Sequence, residues 1–344
     1  MSTAQPPMPR RRIASILWFP IFFAIALPVT FEAAYHQPQP HNVPIAVVGQ
    51  ASQVHLVTDE LRGIDAGGFA VRQWPSAAAA TAAVRDREVA AAYVSDGPAA
   101  VYLARAAAPI RANYLQGVFA RIAAVARRQP PPVVDLVPLA AGDGGTGIFF
   151  VVFPLMMTGV ITAIVLLQLP AWRIGRRVAA VAAVGAIGTI ATYLTAVSLN
   201  ILPAKPLLLA YEFVLTQVFG QLMVGAAPLL KQYFLPAALT FALILSVPSS
   251  GGTVTPDLLP APFRYLSDAL PLAQAVNVTR SVAYFRGAGI TQPTLLMLLW
   301  AAIAAGTVAI AWRRQPRPQL ASTEDSGHPQ REPLPAEPHP ALGS

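Results

Sequence analysis

One acidic residue, Glu212, lies inside a long apolar run, and its type and position suit it best to chemistry. An ionisable side chain within a membrane segment is a candidate functional site, because burying its charge there is costly. The alternative is that Glu212 reaches the interface, since it lies about five residues, or roughly 7–8 Å, from the start of its run. The sequence leaves both interpretations open.

Other polar residues accompany Glu212 on the apolar runs. Gln217 and Gln221 lie deeper in the same run and share a helical face, which favours hydrogen bonds between helices. A stripe of small and polar residues on the preceding run either lines a path or lets helices approach closely, and we favour packing. Its members are Thr189, Thr192, Tyr193, Ala196 and Asn200. The candidate pathway-lining residues are therefore Glu212, Gln217, Gln221, Thr189, Tyr193 and Asn200.

Several kinds of chemistry are excluded or disfavoured. The chain has no cysteine, which excludes disulfides, thiolate metal sites and a cysteine nucleophile. No histidine pairs with carboxylates at the spacing of metal ligands. The glycine-rich segment 141–147 lacks the Gly-Lys-Ser/Thr of a phosphate loop, so we interpret it as a hinge. We expect no catalytic residue, no metal and no cofactor, and a protein that is not an enzyme.

The composition is that of a membrane protein. Hydrophobic residues make up 55% of the 344, and charged residues only 12%, against about 25% in soluble domains. The net charge of +8 does not indicate nucleic-acid binding, because the basic residues cluster at the ends of apolar runs. We expect the lipid bilayer as a partner and no nucleic acid.

The apolar runs predict about six transmembrane helices. They lie at 13–35, 148–169, 178–200, 207–230, 232–247 and 293–312. The first could be a signal peptide, but it is long for one and no clean cleavage site follows. The basic clusters at 10–12, 173–177, 231 and 313–317 then fall on one side, which predicts a multi-pass plasma-membrane protein with both termini in the cytoplasm. The N-terminus is residues 1–12, and the tail 315–344 is expected to be disordered.

Residues 36–145 differ in kind from the apolar runs. Strand patterns such as 43–48, 69–74 and 89–94 alternate with helical patterns at 53–62, 76–87 and 106–128. Ser76 is a plausible N-cap. This alternation predicts a small α/β domain between the first and second spans, on the extracytoplasmic side.

Residues 248–289 separate the last two spans. The part 262–285 has apolar residues at helical spacing, with Arg264, Asp268 and Arg280 off the apolar faces. It is too charged to span a bilayer and too apolar to be a solvated loop. We expect two short amphipathic helices at the outer leaflet, joined near Leu270-Pro271, either interfacial or re-entrant.

The loop after the second span carries Trp172, Arg173, Arg176 and Arg177. These residues are a candidate docking loop for a cytoplasmic ATPase. The alternative is interfacial anchoring combined with the bias of positive charge to the cytoplasmic side.

The order of parts resembles permeases of the type-2 ABC exporter class, and most of all the phage-infection-protein (Pip/YhgE-like) membrane proteins. The segment PSSGGTVTPDLLPAPFRYLSDALPLAQAVNVTRSVAYFRG is similar to the segment before the last span in that group, and VPIAVVG and REVAAAYV are similar to its outer-domain strands. The loop at 170–177 is shorter than a coupling helix, and the outer domain is smaller than in the long relatives.

The resemblance, which covers roughly residues 10–314, implies helices at the outer leaflet, a homodimer and a separate cytoplasmic ATPase subunit. It implies an ABC-type exporter permease that moves a hydrophobic or amphipathic substrate. The alternative is a membrane-anchored surface protein whose outer domain binds a partner without transport.

Overall fold

The protein is described by a computed structural model over residues 10–125 and 129–315. Within these residues, five helical stretches are long and apolar enough to cross a membrane. They are Leu17–Tyr35, Gly147–Leu166, Ile174–Ser198, Leu207–Ser246 and Thr291–Arg313. The first of them is the apolar part of helix α1 (Arg10–Tyr35). The architecture is therefore consistent with a helical, multi-pass membrane protein that carries one small α/β domain. The disorder expected for the tail concerns residues that lie almost entirely outside the described ranges.

The longest of these stretches is a hairpin. Helix α7 (Leu207–Leu230) ends at Lys231, whose φ of 51° lies in the left-handed region and breaks the helix. The chain then returns through α8 (Phe234–Leu239) and a π-helical segment, Thr240–Ser246. Phe219 and Phe241 face each other with ring centroids 5.7 Å apart, eleven residues on either side of Leu230. The two arms are thus antiparallel.

Contacts between side chains fix the directions of the other long helices: α5 (Gly147–Leu166), α6 (Ile174–Ser198) and α11 (Thr291–Arg313). Tyr211 and Thr294 share a hydrogen bond near the starts of α7 and α11, and Gly225 meets Thr307 further along both. Helices α7 and α11 are therefore parallel. Helix α6 runs the opposite way, because Gly185 faces Thr216 while Val181 faces Gly220.

The helices of the bundle approach each other closely because glycine residues lie at the contacts between them. A Cβ atom placed on Gly159 of α5 would lie 2.6 Å from the carbonyl oxygen of Thr216 and 2.8 Å from the nitrogen of Gly220. The backbones of α5 and α7 are thus in direct contact, as is common between membrane helices.

The α/β domain contains a five-stranded sheet in the order β2-β1-β3-β4-β5. The strands are β1 (Val43–Val48), β2 (Phe69–Gln73), β3 (Ala91–Val94), β4 (Ala100–Leu103) and β5 (Val133–Asp135). All neighbouring strands are parallel except β3 and β4. The helices are α2 (Ala51–Ile64), α3 (Ala77–Arg85) and α4 (Pro109–Val125). Ser76 caps α3 as expected, since its hydroxyl accepts a hydrogen bond of 3.2 Å from the nitrogen of Ala79.

The glycine-rich joint after the domain is packed, which differs from the hinge that we expected. The nitrogen of Gly142 donates to the carbonyl oxygen of Asn200 at 2.9 Å. The Asp143 carboxylate accepts from the nitrogens of Gly145 and Gly147 at 2.7 and 2.8 Å and so caps the start of α5. These bonds anchor the domain to the bundle.

Two short helices lie between the last two apolar stretches, as expected: α9 (Ala261–Ala269) and α10 (Pro271–Tyr284). The turn between them reaches well into the bundle, because the indole nitrogen of Trp300 donates to the Ala269 carbonyl at 2.7 Å. Trp300 lies nine residues into α11, or about 14 Å along it. The turn between α9 and α10 therefore lies beside the middle of α11.

Helix α10 is more enclosed than we expected of an amphipathic helix that is interfacial or re-entrant. Twelve of its fourteen residues are buried. The reason is its side chains, most of which are small alanine, serine, threonine and valine residues that other elements can pack against from every side. In α9, Asp268 is exposed as expected and Leu270 just after the helix is buried, but Arg264 is half-buried like Phe263 and Leu266.

Candidate functional site in the helical bundle

A pocket of about 540 Å³ lies between α6, α7 and α11. Seven of its eleven lining residues are valine or alanine, so its walls are mostly apolar. The lining comprises Val178, Gln217, Val218, Gln221, Ala301, Ala304, Ala305, Val308, Ala309, Trp312 and Arg313. The volume falls within the range of small-molecule sites, about 300–1,000 Å³. Two predicted pathway residues, Gln217 and Gln221, are among the lining residues.

The two glutamines also join α7 to α6. The Gln221 amide donates to the Val178 carbonyl at 3.1 Å and to the Gln217 amide oxygen at 3.0 Å. Gln217 donates in turn to the Thr216 hydroxyl at 3.1 Å. The hydrogen bonding expected of this pair is thus present, and it leaves the amides at the pocket wall.

Glu212 and Thr189 are not among the lining residues of this pocket and are more completely buried between the helices. Glu212 is 1% exposed and Thr189 is 2% exposed. Continuing the register of α6 against α7 by one turn from Gly185 and Thr216 brings these two residues to the same level. Among the described residues, the two carboxylate oxygens of Glu212 and the hydroxyl of Thr189 have no hydrogen-bond partner. The Glu212 side chain is thus enclosed by protein.

The other two predicted pathway residues have different surroundings. Tyr193 is buried in the bundle core one turn beyond Thr189. Asn200 is exposed in the turn after α6, with a φ of 53°, a left-handed conformation that asparagine tolerates. Its carbonyl accepts the bond from Gly142, so the structure gives Asn200 a role in holding the joint.

The predicted docking loop lies at the end of the bundle where α5, α7 and α11 finish. Trp172 packs against the core, whereas Arg173 and Arg176 are exposed. Arg177 donates to the Leu169 carbonyl at 3.0 Å. The Trp312 ring of α11 lies against Gly175 of α6. We call this the arginine end; its cations are Arg173, Arg176, Arg177, Lys231, Arg313 and Arg314.

The opposite end of the bundle, where the α/β domain meets α10, contains a cluster that the sequence analysis missed. We call it the junction and define it by Arg87, Arg111, Asp143, Asp257 and Arg280. Arg111 of α4 makes an ion pair with Asp257. Arg87 donates to Ser281 and Asn277, both on α10. Of the three guanidinium groups, that of Arg111 is paired with a carboxylate, and the charges of Asp143 and Asp257 lie near Arg280.

Arg280 is the most enclosed member of the junction, with 3% exposure. It donates to the Gly251 carbonyl at 3.2 Å, while its Nε atom has no partner within the described part of the chain. Burial, with the nearby charges of Arg87 and Arg111, lowers its pKa to about 9. Its contact with the backbone of the 249–252 turn gives this charged residue a structural role.

Asp257 is the counterpart of these arginines. Burial alone would raise its pKa, but the charge of Arg111 and the hydrogen bonds around the carboxylate outweigh burial and lower it. The main chain of Asp257 makes a separate contact, because the nitrogen of His41 donates to the Asp257 carbonyl oxygen at 2.8 Å. Asp257 therefore connects the start of the α/β domain, α4 and the segment before α9.

No pattern in the sequence singles out the junction. Arg87 and Ser281 are 194 positions apart, and Arg111 and Asp257 are 146 apart. One usable signal was Arg280 itself, a charged residue in a run of small side chains. The described residues contain no group of three histidines or carboxylates that could hold a metal.

Comparisons with protein-family models, curated proteins and solved structures found no match for the chain.

Proposed function

We propose that the chain is a permease subunit of an ABC-type exporter, moving a hydrophobic or amphipathic substrate while a separate subunit hydrolyses ATP. The observation that carries this proposal is the pocket between α6, α7 and α11. The pocket has apolar walls with two amides, and Arg313 lies at one end. This combination suits a molecule with a long apolar part and a polar group.

The direction of the helices supports a six-crossing topology in the plasma membrane. Gly147 meets Ile201 and Gly188 meets Thr158, so α5 and α6 are antiparallel. The Tyr35 hydroxyl donates to the Val247 carbonyl, so the first stretch ends beside the end of the second arm of Leu207–Ser246. With Leu207–Ser246 counted as two arms, each apolar stretch runs opposite to the one before it. The arginine end then faces the cytoplasm under the positive-inside rule, and the α/β domain and junction face outward. Both termini are cytoplasmic in this arrangement.

The arginine end also suits an ATPase partner. Arg173 and Arg176 are exposed beside the partly buried Trp172, so a cytoplasmic subunit could contact the loop without unfolding it. A single set of six crossings provides half of a pathway in the exporter class that the chain resembles. We therefore propose a homodimer that binds ATPase subunits at this end.

One observation favours the alternative, a surface protein whose outer domain binds a partner. The α/β domain has its own pocket of about 210 Å³, between α2, β3 and α4. Leu56, at its rim, is 62% exposed. The lining of this pocket is mostly apolar, with Glu60 and Gln129 as polar groups, which is the composition of small-ligand sites.

Co-purification tests the two functions. The full chain, solubilised in mild detergent from its native membrane, should retain an ATPase, and Arg173→Glu with Arg176→Glu should release it. The same double change to Arg62 and Arg72, which lie in the α/β domain, is the control. Retention of a soluble partner through Leu56, with no ATPase, would support the alternative.

Topology is tested separately, because the chain has no native cysteine. Arg176→Cys should resist an impermeant thiol reagent in intact cells, whereas Asp59→Cys on α2 should react. Labelling of Arg176→Cys in intact cells would contradict the proposed orientation.

A further inference from the structure

The pocket in the bundle runs along the helices from the middle of α11 to its end. Ala301 and Arg313 are both lining residues and lie twelve positions apart. At 1.5 Å per residue, the pocket follows α11 for about 18 Å. That length is close to half of a hydrocarbon core about 30 Å thick. The pocket therefore has the direction and reach of one acyl chain in a single leaflet.

The two ends of this pocket differ in charge. The part beside the middle of α11 is lined mostly by alanine and valine, and the part at the arginine end finishes at Trp312 and Arg313. The arginine end carries six cations. Within residues 146–315, it contains no acidic side chain. The acidic residues of that range, which all lie elsewhere, are Glu212, Asp257 and Asp268. A ligand that is apolar along its length and anionic at its end would match both parts.

We propose that this pocket binds an anionic phospholipid, with one acyl chain between α6, α7 and α11 and the phosphate beside Arg313. The inference rests on the membrane placement in the proposed function and names a ligand for the same pocket. It does not require that the lipid be exported.

A second copy of the chain is the main competing occupant. A symmetric contact through this face would bring the arginine ends of two copies together, with like charges adjacent. An anionic headgroup removes that repulsion, whereas a second copy adds to it. Charge complementarity thus favours the lipid.

The test measures lipid binding to the full-length protein purified in a neutral detergent and stripped of lipid. The probes are phosphatidylglycerol and phosphatidylcholine with identical acyl chains, and bound lipid is counted by native mass spectrometry. We expect phosphatidylglycerol to bind more tightly. Arg313→Gln should weaken it about fivefold, which corresponds to about 1 kcal/mol for one basic residue near the membrane surface. It should weaken phosphatidylcholine less, because the choline cation offsets the charge of the phosphate.

A second variant probes the apolar part. Ala305 is exposed and lines the pocket, so Ala305→Phe should fill it and reduce binding of both lipids. Ala302→Phe is the matched control, since Ala302 is exposed on α11 outside the lining. Lys205→Gln, a cation at the junction end, is the control for Arg313→Gln. Unchanged thermal unfolding and elution volume establish that each variant is folded.

Three results would overturn the inference. Equal binding of the two lipids by the unaltered protein would remove the headgroup preference. Unchanged lipid binding in Ala305→Phe would place the lipid elsewhere. Loss of a dimer in Ala305→Phe with lipid binding intact would make a second copy the occupant. Because no ATPase is present, failure of the exporter proposal would leave these results unaffected, and an inverted topology would show only in cysteine labelling.

Discussion

The bundle pocket and the junction use polar groups in opposite ways. The pocket has walls of alanine and valine that contain two neutral amides, and one cation lies at its arginine end. The junction places three arginines and two aspartates between two folded parts, and Arg280 is nearly inaccessible there. Amides that bond to a helix backbone can coexist with an open cavity, whereas buried charges need partners in fixed positions. The pocket thus leaves space that a ligand could fill, whereas the junction holds the α/β domain on the bundle.

The same contrast applies to the way each region is held together. The pocket lies where small residues let α7 and α11 touch, so its shape depends on backbone contact. The junction depends on charges that come from distant parts of the chain. Changes to charge should therefore affect the junction most, and changes to volume should affect the bundle most.

The largest effect is expected at the junction. Asp257→Asn should destabilise the protein by up to about 3 kcal/mol, because removing one charge of a partly buried ion pair leaves Arg111 without its counter-charge. Thermal unfolding in detergent, followed by circular dichroism, measures this change. Asp268→Asn, an exposed change on α9, is the control and should have little effect. Equal losses in the two variants would contradict the importance of the junction charges.

The same pair of proteins gives a pH dependence. The pKa of Asp257 is lowered in the folded state, so its contribution is fully present above the unfolded value of about 3.9. It is lost as the pH falls through the folded-state pKa. The stability difference between the unaltered protein and Asp257→Asn should therefore be constant near neutral pH and shrink below about pH 4.

A somewhat smaller effect is expected from volume in the bundle. Gly225→Leu should cost about 1–3 kcal/mol, since overpacking forces the backbones apart. A Cβ atom at Gly225 would lie 2.4 Å from the Thr307 hydroxyl and 2.6 Å from the nitrogen of Val308. Gly306→Leu is the control on α11, because nothing lies within 4 Å of its Cβ position. Thermal unfolding of both variants compares them; a tolerated Gly225→Leu would mean that α7 and α11 are not in close contact.

Removing one amide should have a modest effect. Gln221→Leu removes the bonds to the Val178 carbonyl and to Gln217, and hydrogen bonds between membrane helices contribute about 1 kcal/mol. Gln168→Leu, an exposed change outside α5, is the control. Denaturant unfolding measures both variants. A loss as large as that of Asp257→Asn would erase the distinction between the two regions.

The smallest effect on stability is expected from Glu212→Gln. The shape of the side chain is kept, and within the described residues no hydrogen bond to its oxygens is lost. Stability should change by less than about 0.5 kcal/mol, the low end of the value of one hydrogen bond. Unfolding measurements test this, and substrate export by the variant reports separately on a pathway role. A loss above 1 kcal/mol would indicate a partner that Glu212 needs.

Much of the fold could be predicted from the sequence because it depends on neighbouring residues. The apolar runs, the Ser76 cap and the strand 43–48 are each determined within one short window of the chain. The hydrogen bonds of Gln217 and Gln221 also follow from their spacing on one helix. Periodicity and local capping are physical signals that need no knowledge of distant contacts.

The tertiary structure alone decided three features. It placed Arg111 against Asp257 and Arg87 against α10, although these partners lie more than 140 positions apart. It buried α10 on all sides, since small side chains are equally compatible with an interface and a core. It also opened the pocket between α6, α7 and α11, whose walls come from three separate helices. Charge pairing and cavity shape depend on how whole elements pack, which no single stretch of sequence specifies.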